Sequence, residues 1–175
     1  MAGRLFVMLR AAFFASLFIA LWIWFVPRWL GGDPRHPQWS ALPILVMLLG
    51  ALVMLRCVWD FAWTGRGTPA PWDAPRHLVI RGLYRYVRNP MYVGMGLFLV
   101  GEAFVLPPIT WRMLVVVLSA FAVVTLFILF YEEPTLRGLF GSEYEEYCRN
   151  VRRWIPRLTP FDKPRNAAVP SPHLE

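Results

Sequence analysis

The stretch WRMLVVVLSAFAVVTLFILFY, residues 111–131, decides the fold. Val, Leu, Phe and Ile run through it almost without interruption, and Arg112 is its one charge, next to the first residue. As a helix it is ~32 Å long, enough to cross a hydrocarbon core of ~30 Å. Three further apolar runs predict an all-α integral membrane protein of four transmembrane helices. Residues 5–26 form the first, bounded by Trp22, Trp24 and Trp29 at one interface and by Pro27 and Gly31-Gly32. Residues 41–59 form the second, with Arg56 and Asp60 in its last turns, placed to snorkel or to pair. Residues 90–106 form the third, only ~25 Å long and stopped by Pro107-Pro108.

Composition agrees. Of 175 residues, 57% are hydrophobic, mean hydropathy is +0.45, and nine Trp and thirteen Phe suit lipid-facing surfaces and interfacial belts. The net charge of +7 rests on seventeen Arg and one Lys. No nucleic-acid-binding motif accompanies it, so no nucleic-acid partner is expected. Cys57 and Cys148 are too few for a disulfide framework and lack metal-ligand spacing, so no metal is expected. The first apolar run is too long for a signal h-region and reads as a retained helix. Most arginines fall in the N-terminus (Arg4, Arg10), the 64–89 loop (Arg66, Arg76, Arg81, Arg85, Arg88) and the region from Arg137 onward. The positive-inside rule puts these segments, both termini and any site built from them in the cytoplasm, of a bacterial inner membrane. Residues 1–160 read as a single domain and 161–175 as a loose tail.

Three stretches carry chemistry. The first is Arg88-Asn89-Pro90-Met91-Tyr92-Val93-Gly94-Met95-Gly96. Asn89 is a good N-cap and Pro90 a good first helical residue, so the third span starts here, offering free N–H groups and a positive dipole end. The carboxylate of an amino-acid-derived cofactor would suit that site. Gly94 and Gly101 share a face suited to helix packing, while Gly96 lies about 200° from Gly94, so something else, a ligand included, can approach its backbone. The second stretch is Tyr131-Glu132-Glu133-Pro134, two carboxylates at the end of an apolar helix that must reach water or cations. The third is an amphipathic helix, 142–154, with a Ser142/Glu145 capping box, an apolar face of Tyr144, Tyr147, Cys148 and Val151, and Pro156 as its stop.

In this order the stretches resemble the isoprenylcysteine carboxyl methyltransferase family and its relatives, the phospholipid N-methyltransferases. The resemblance covers residues 82–156 and rests on Arg88-Asn89-Pro90-Met91-Tyr92-Val93-Gly94, Glu132-Glu133, Phe140-Gly141, Tyr144, Tyr147 and Arg153-Trp154-Ile155-Pro156. Asn89 stands where the family has histidine. The resemblance implies a methyltransferase using S-adenosylmethionine. Its cofactor would be held by Arg88, Asn89, Pro90, Tyr92, Gly94, Gly96, Glu132 and Glu133. Tyr144 and Tyr147 would bind substrate, and Arg153 or Arg85 would steer the reacting group. The acceptor would be a lipophilic molecule entering from the bilayer. A carboxylate needs no base and is favoured, since His77 is the one histidine nearby. The alternatives are an amine acceptor, a membrane reductase using a nicotinamide cofactor, and a non-catalytic scaffold. Glu102, late in the third span, is weak support for a transporter.

Overall fold

The computed structural model describes residue 17 and residues 20–33, 37, 40–64, 78–106 and 109–162. Most of the expected first span, much of the 64–89 loop with Arg66, Arg76 and His77, Pro107-Pro108 and most of the tail lie outside the described residues. Within them the chain is helix and loop. A π-helical stretch, Ala20–Phe25, leads into α1, Val26–Trp29, with Pro27 in its first turn. Then come α2 (Ala41–Thr64), a 3₁₀ turn (Gly82–Arg85), α3 (Pro90–Val105), α4 (Thr110–Phe127), a π turn (Ile128–Glu132), α5 (Glu133–Phe140) and α6 (Ser142–Asn150).

Two helical runs, Ala41–Asp60 and the continuous Thr110–Phe140, are long and apolar enough to cross a membrane, and few of their side chains are buried. Leu42, Leu45, Leu49, Leu52 and Leu55 all point outward, as do Leu118, Val123, Leu126 and Phe130. A soluble core helix would bury such residues, whereas helices facing lipid leave them out. The apolar faces therefore point to a membrane protein. α3 has 16 residues and is ~24 Å long, shorter than the hydrocarbon core.

α2 and α3 pack closely through glycine. A Cβ on Gly50 would lie 2.5 Å from the carbonyl oxygen of Gly94, and one on Gly101 would lie 2.7 Å from that of Pro43. The expected Gly94/Gly101 packing face is thus real, and its partner is α2. Gly96 has nothing within 4 Å of its Cβ position. At the far end, Ala103, Leu106, Ile109 and Met113 cluster against Val26 and Leu30. Glu102 is buried beside them at 3% exposure, and neither of its carboxylate oxygens has a hydrogen-bond partner among the described residues.

Three boundaries and one cap differ from the sequence reading. α2 runs five residues beyond 59, because no breaker occurs before Gly65. The helix of the fourth span does not stop at Tyr131. In the π turn the Glu133 N–H bonds the carbonyl of Ile128, five residues back, and this wider turn carries Pro134 into the first turn of α5. A proline there needs no i−4 partner, so the helix continues to Gly141. The capping box does not form: Gly141, at φ 51°, is the N-cap of α6, and its carbonyl accepts from Tyr144 and Glu145. Finally α6 ends at Asn150 rather than 154. The chain turns extended at Val151 and pairs with residues 86–88, Arg88 N–H donating to Arg152 O and Arg157 N–H to Tyr86 O.

The two open and closed glycine faces make a paired prediction. Gly50→Ala should destabilise the protein by about 1–3 kcal/mol through overpacking. Gly96→Ala should be neutral or stabilising by up to about 1 kcal/mol, as for an unhindered helical glycine. Thermal unfolding in detergent, followed by helical circular dichroism, compares them; equal effects would contradict a glycine-dependent α2–α3 seam.

Candidate functional site

The start of α3, the end of the α4–π–α5 helix and the segment after α6 meet at one end of the bundle. Glu133 sits at the junction, with its side chain 4% exposed. Arg153 Nε donates to its Oε1 at 2.8 Å, Arg88 Nη1 lies 3.1 Å from the same oxygen, and Arg137 Nη2 lies 3.5 Å from Oε2. A carboxylate cannot be buried uncompensated, and three guanidinium groups supply the compensation. The hydrogen bond to Glu133 raises the Arg153 pKa above its ordinary value. Three guanidinium groups surround the one Glu133 carboxylate, so positive charge is in excess even with the neighbouring Glu132 counted.

Glu132, one residue earlier, points elsewhere and accepts a hydrogen bond from Tyr92 Oη at 3.3 Å. Asn89 occupies the N-cap of α3 and its carbonyl accepts from Val93 N–H, but its side chain makes no capping bond. Its Nδ2 is buried without a partner among the described residues, and so is Arg88 Nε. Two buried donors beside a helix N-terminus are costly unless an acceptor meets them. Pro90 is buried as the first residue of α3.

The tyrosines build the floor. Tyr144 and Tyr147 are each 3% exposed and pack with Val151 and Phe161. Tyr147 Oη donates to the carbonyl of Tyr84 at 2.6 Å, which ties α6 to the 3₁₀ turn. Burial, before any neighbouring charge, raises the pKa of both phenols, so both stay neutral donors. Trp154 reaches along α4 and packs its ring on Phe121, with centroids 4.6 Å apart.

The expected site residues thus divide. Arg88, Asn89, Pro90, Tyr92, Glu132, Glu133 and Arg153 come together, with Tyr144 and Tyr147 beneath. Arg85 does not join them: its Nε donates to Phe161 O and its guanidinium pairs with Asp162. Gly94 is occupied by the contact with α2, and Gly96 faces open space. Sequence reasoning missed Arg137, counted only as loop charge, and Cys148, whose Sγ receives Arg88 Nη1 at 2.7 Å. It also missed the close fit of Asp60 against the start of the 3₁₀ turn. Asp60, 2% exposed, pairs with Arg56 at 3.1 Å, and its other oxygen lies 2.1 Å from where a Gly82 Cβ would be. Gly82, at φ 54°, is therefore required twice over, by backbone and by space.

The Glu133 cluster predicts unequal costs on mutation. Glu133→Ala leaves the largely buried Arg88 and the partly buried Arg153 guanidiniums uncompensated and should cost about 3 kcal/mol of unfolding free energy. Arg137→Ala removes a half-exposed partner and should cost at most about 1 kcal/mol. Denaturant unfolding of both variants in micelles would reveal the asymmetry, and a similar small loss for each would refute it.

The profile of the family described as phospholipid methyltransferase matches residues 39–143, from just before α2 to the second residue of α6. Two rice proteins, from Oryza sativa subsp. indica and subsp. japonica, are each named as a probable protein-S-isoprenylcysteine O-methyltransferase. Each is 36% identical over 80 residues, covering 45% of this chain and 40% of the relative. The match thus spans less than half the length of these curated relatives. No solved structure matches the chain. With more than half of its length matched, the chain belongs to the phospholipid methyltransferase family.

Proposed function

We propose that this protein moves a methyl group from S-adenosylmethionine to a lipophilic acceptor at the cytoplasmic face of a bacterial inner membrane, with a carboxylate as the favoured nucleophile. One observation carries the reading: Asn89 Nδ2 and Arg88 Nε are buried without partners at the N-terminus of α3, inside a region of excess arginine charge. Such a set fits the carboxylate of an amino-acid-derived cofactor. Arg88, Asn89, Pro90 and Tyr92 would hold that end and Glu132 the cationic part, while Glu133 positions the arginines. When bound, the cofactor supplies an electrophilic methyl on a sulfonium.

The chain's own residues then align the partners and exclude water, which is most of what an in-line displacement asks. Tyr144 and Tyr147 form a dry floor, and Arg153 draws in an anionic acceptor. A carboxylate is ionised at neutral pH and needs no base. The family name and the rice relatives support methyl transfer as the reaction class. A specific observation favours a second reading, an amine acceptor: Glu132 meets Tyr92 and no described arginine, which leaves it able to take a proton from an ammonium.

Calorimetric titration of the detergent-solubilised protein with S-adenosylhomocysteine should give binding in about the micromolar range. Asn89→Ala, which removes a donor without breaking any described hydrogen bond, should weaken it by about tenfold or more. Absence of binding by folded wild type would overturn the methyl-transfer reading in favour of a reductase or a scaffold. With methyl-labelled cofactor and a membrane extract, base-labile product marks an ester; label found only in base-stable amines would overturn the carboxylate preference.

A further inference from the structure

The amphipathic helix α6 turns its apolar face into the protein. Tyr144, Tyr147 and Val151 pack on Phe161, with Leu78 and Ile80 against them. Outward it shows Ser142, Glu145 and Arg149. An interfacial helix lays its apolar stripe in lipid, and α6 has none left to offer. The large apolar side chains exposed beyond α6 are Ile155, 60% exposed, and Leu158, exposed over its whole side chain. Both lie on non-helical chain, on either side of Pro156 and Arg157.

Trp154 fixes where this segment runs. Its ring packs on Phe121 of α4, with centroids 4.6 Å apart. Phe121 is ten residues, ~15 Å, along the helix from Trp111 and twelve, ~18 Å, from Glu133. It is therefore well inside the apolar run, and its neighbours Leu118 and Val123 face outward. Arg153, one residue before Trp154, bonds Glu133 at the charged end. Arg157 N–H returns to Tyr86 O, two residues from Arg88. Between them the chain dips alongside α4 and comes back.

An irregular segment cannot enter the hydrocarbon centre with free backbone donors, so such a dip has to be shallow and its donors few. Pro156 and Pro160 have no N–H, and those of Arg157 and Phe161 bond the carbonyls of Tyr86 and Arg85. A depth of ~5–10 Å below the headgroups is where apolar side chains of surface-bound segments insert. Charge then selects the lipid. Arg149 and Arg152 are exposed at the entry to the dip, and neither pairs with a carboxylate among the described residues, Glu145 and Glu146 included. Arg153 is held by Glu133, and Arg157 by Asn150 O. Unpaired arginines at this level attract acidic lipid heads.

We propose that residues 154–158 insert into the lipid leaflet at the Glu133 end of the bundle, with Ile155 and Leu158 among the acyl chains, and that Arg149 and Arg152 bind the heads of acidic phospholipids there. This surface lies outside the methyl-transfer reading and holds whatever the acceptor is. Its occupant is the leaflet, because the patch continues the lipid-facing side of α4 through the Trp154–Phe121 contact.

The test is electron paramagnetic resonance in nanodiscs of phosphatidylglycerol. A nitroxide is attached to Ile155→Cys, to Leu158→Cys and, as the water-facing reference, to Glu145→Cys. Wild type treated alike is the blank for Cys57 and Cys148. Oxygen should relax the labels at 155 and 158 more than an aqueous neutral nickel chelate does, with the order reversed at 145. In phosphatidylcholine nanodiscs the nickel accessibility at 158 should rise by about fivefold or more, the weight of at least one arginine at an acidic surface. Arg149→Gln with Arg152→Gln should give the same rise in phosphatidylglycerol. A label at 158 that nickel relaxes as strongly as the one at 145 overturns the proposal. Equal depth in both lipids and in the double variant overturns the assignment to acidic heads.

Discussion

Glu133 is the pivot of this structure. A carboxylate buried at the end of a long apolar helix must be compensated, and its partners come from three places in the chain: Arg88 before α3, Arg137 one turn along α5, and Arg153 after α6. Meeting that one charge brings the loop before the third helix and the C-terminal segment onto the end of the fourth. The backbone bonds between residues 86–88 and 152–157, and the bond from Tyr147 to Tyr84, then fix the register. Remove the carboxylate and these segments lose the reason to converge.

The same arrangement explains why adjacent glutamates have different roles. The π turn ends on Glu132, the first of the pair, and carries the helix into Pro134 without a break. Glu133 faces the arginines, and Glu132 faces Tyr92. One carboxylate is consumed in building the site, and the other stays available to a ligand. Excess positive charge, two unpartnered donors and a nearby apolar cleft then lie around a single turn of chain, residues 87–90.

The helix packing below has a matching logic. Glycine at positions 50, 94 and 101 lets two helices touch backbone to backbone, and in lipid that close contact replaces the hydrophobic drive available in water. The shortness of α3 follows from its site: it begins at Pro90, where the charged turn ends, and stops at Val105, before Pro107-Pro108.

The sequence by itself determined the helices, their apolar faces and the roster of charged and aromatic residues at the site, because periodicity, proline and glycine act locally. The Glu132-Glu133 pair and the Gly94/Gly101 face were legible from residue type and spacing, whereas Arg88, Tyr92 and Arg153 entered through the resemblance to the methyltransferase family. What only the tertiary structure decided is who meets whom. Arg137 joins the site and Arg85 leaves it for Asp162, Gly94 packs on α2 while Gly96 stays open, and Asp60 lies against Gly82 of the 3₁₀ turn. The capping box and the longer C-terminal helix gave way because Gly141 caps through its backbone and residues 151–157 gain partners in residues 86–88. The physical reason is common to all of these: ion pairs and backbone bonds between distant segments depend on how elements approach in space, which local propensity does not encode.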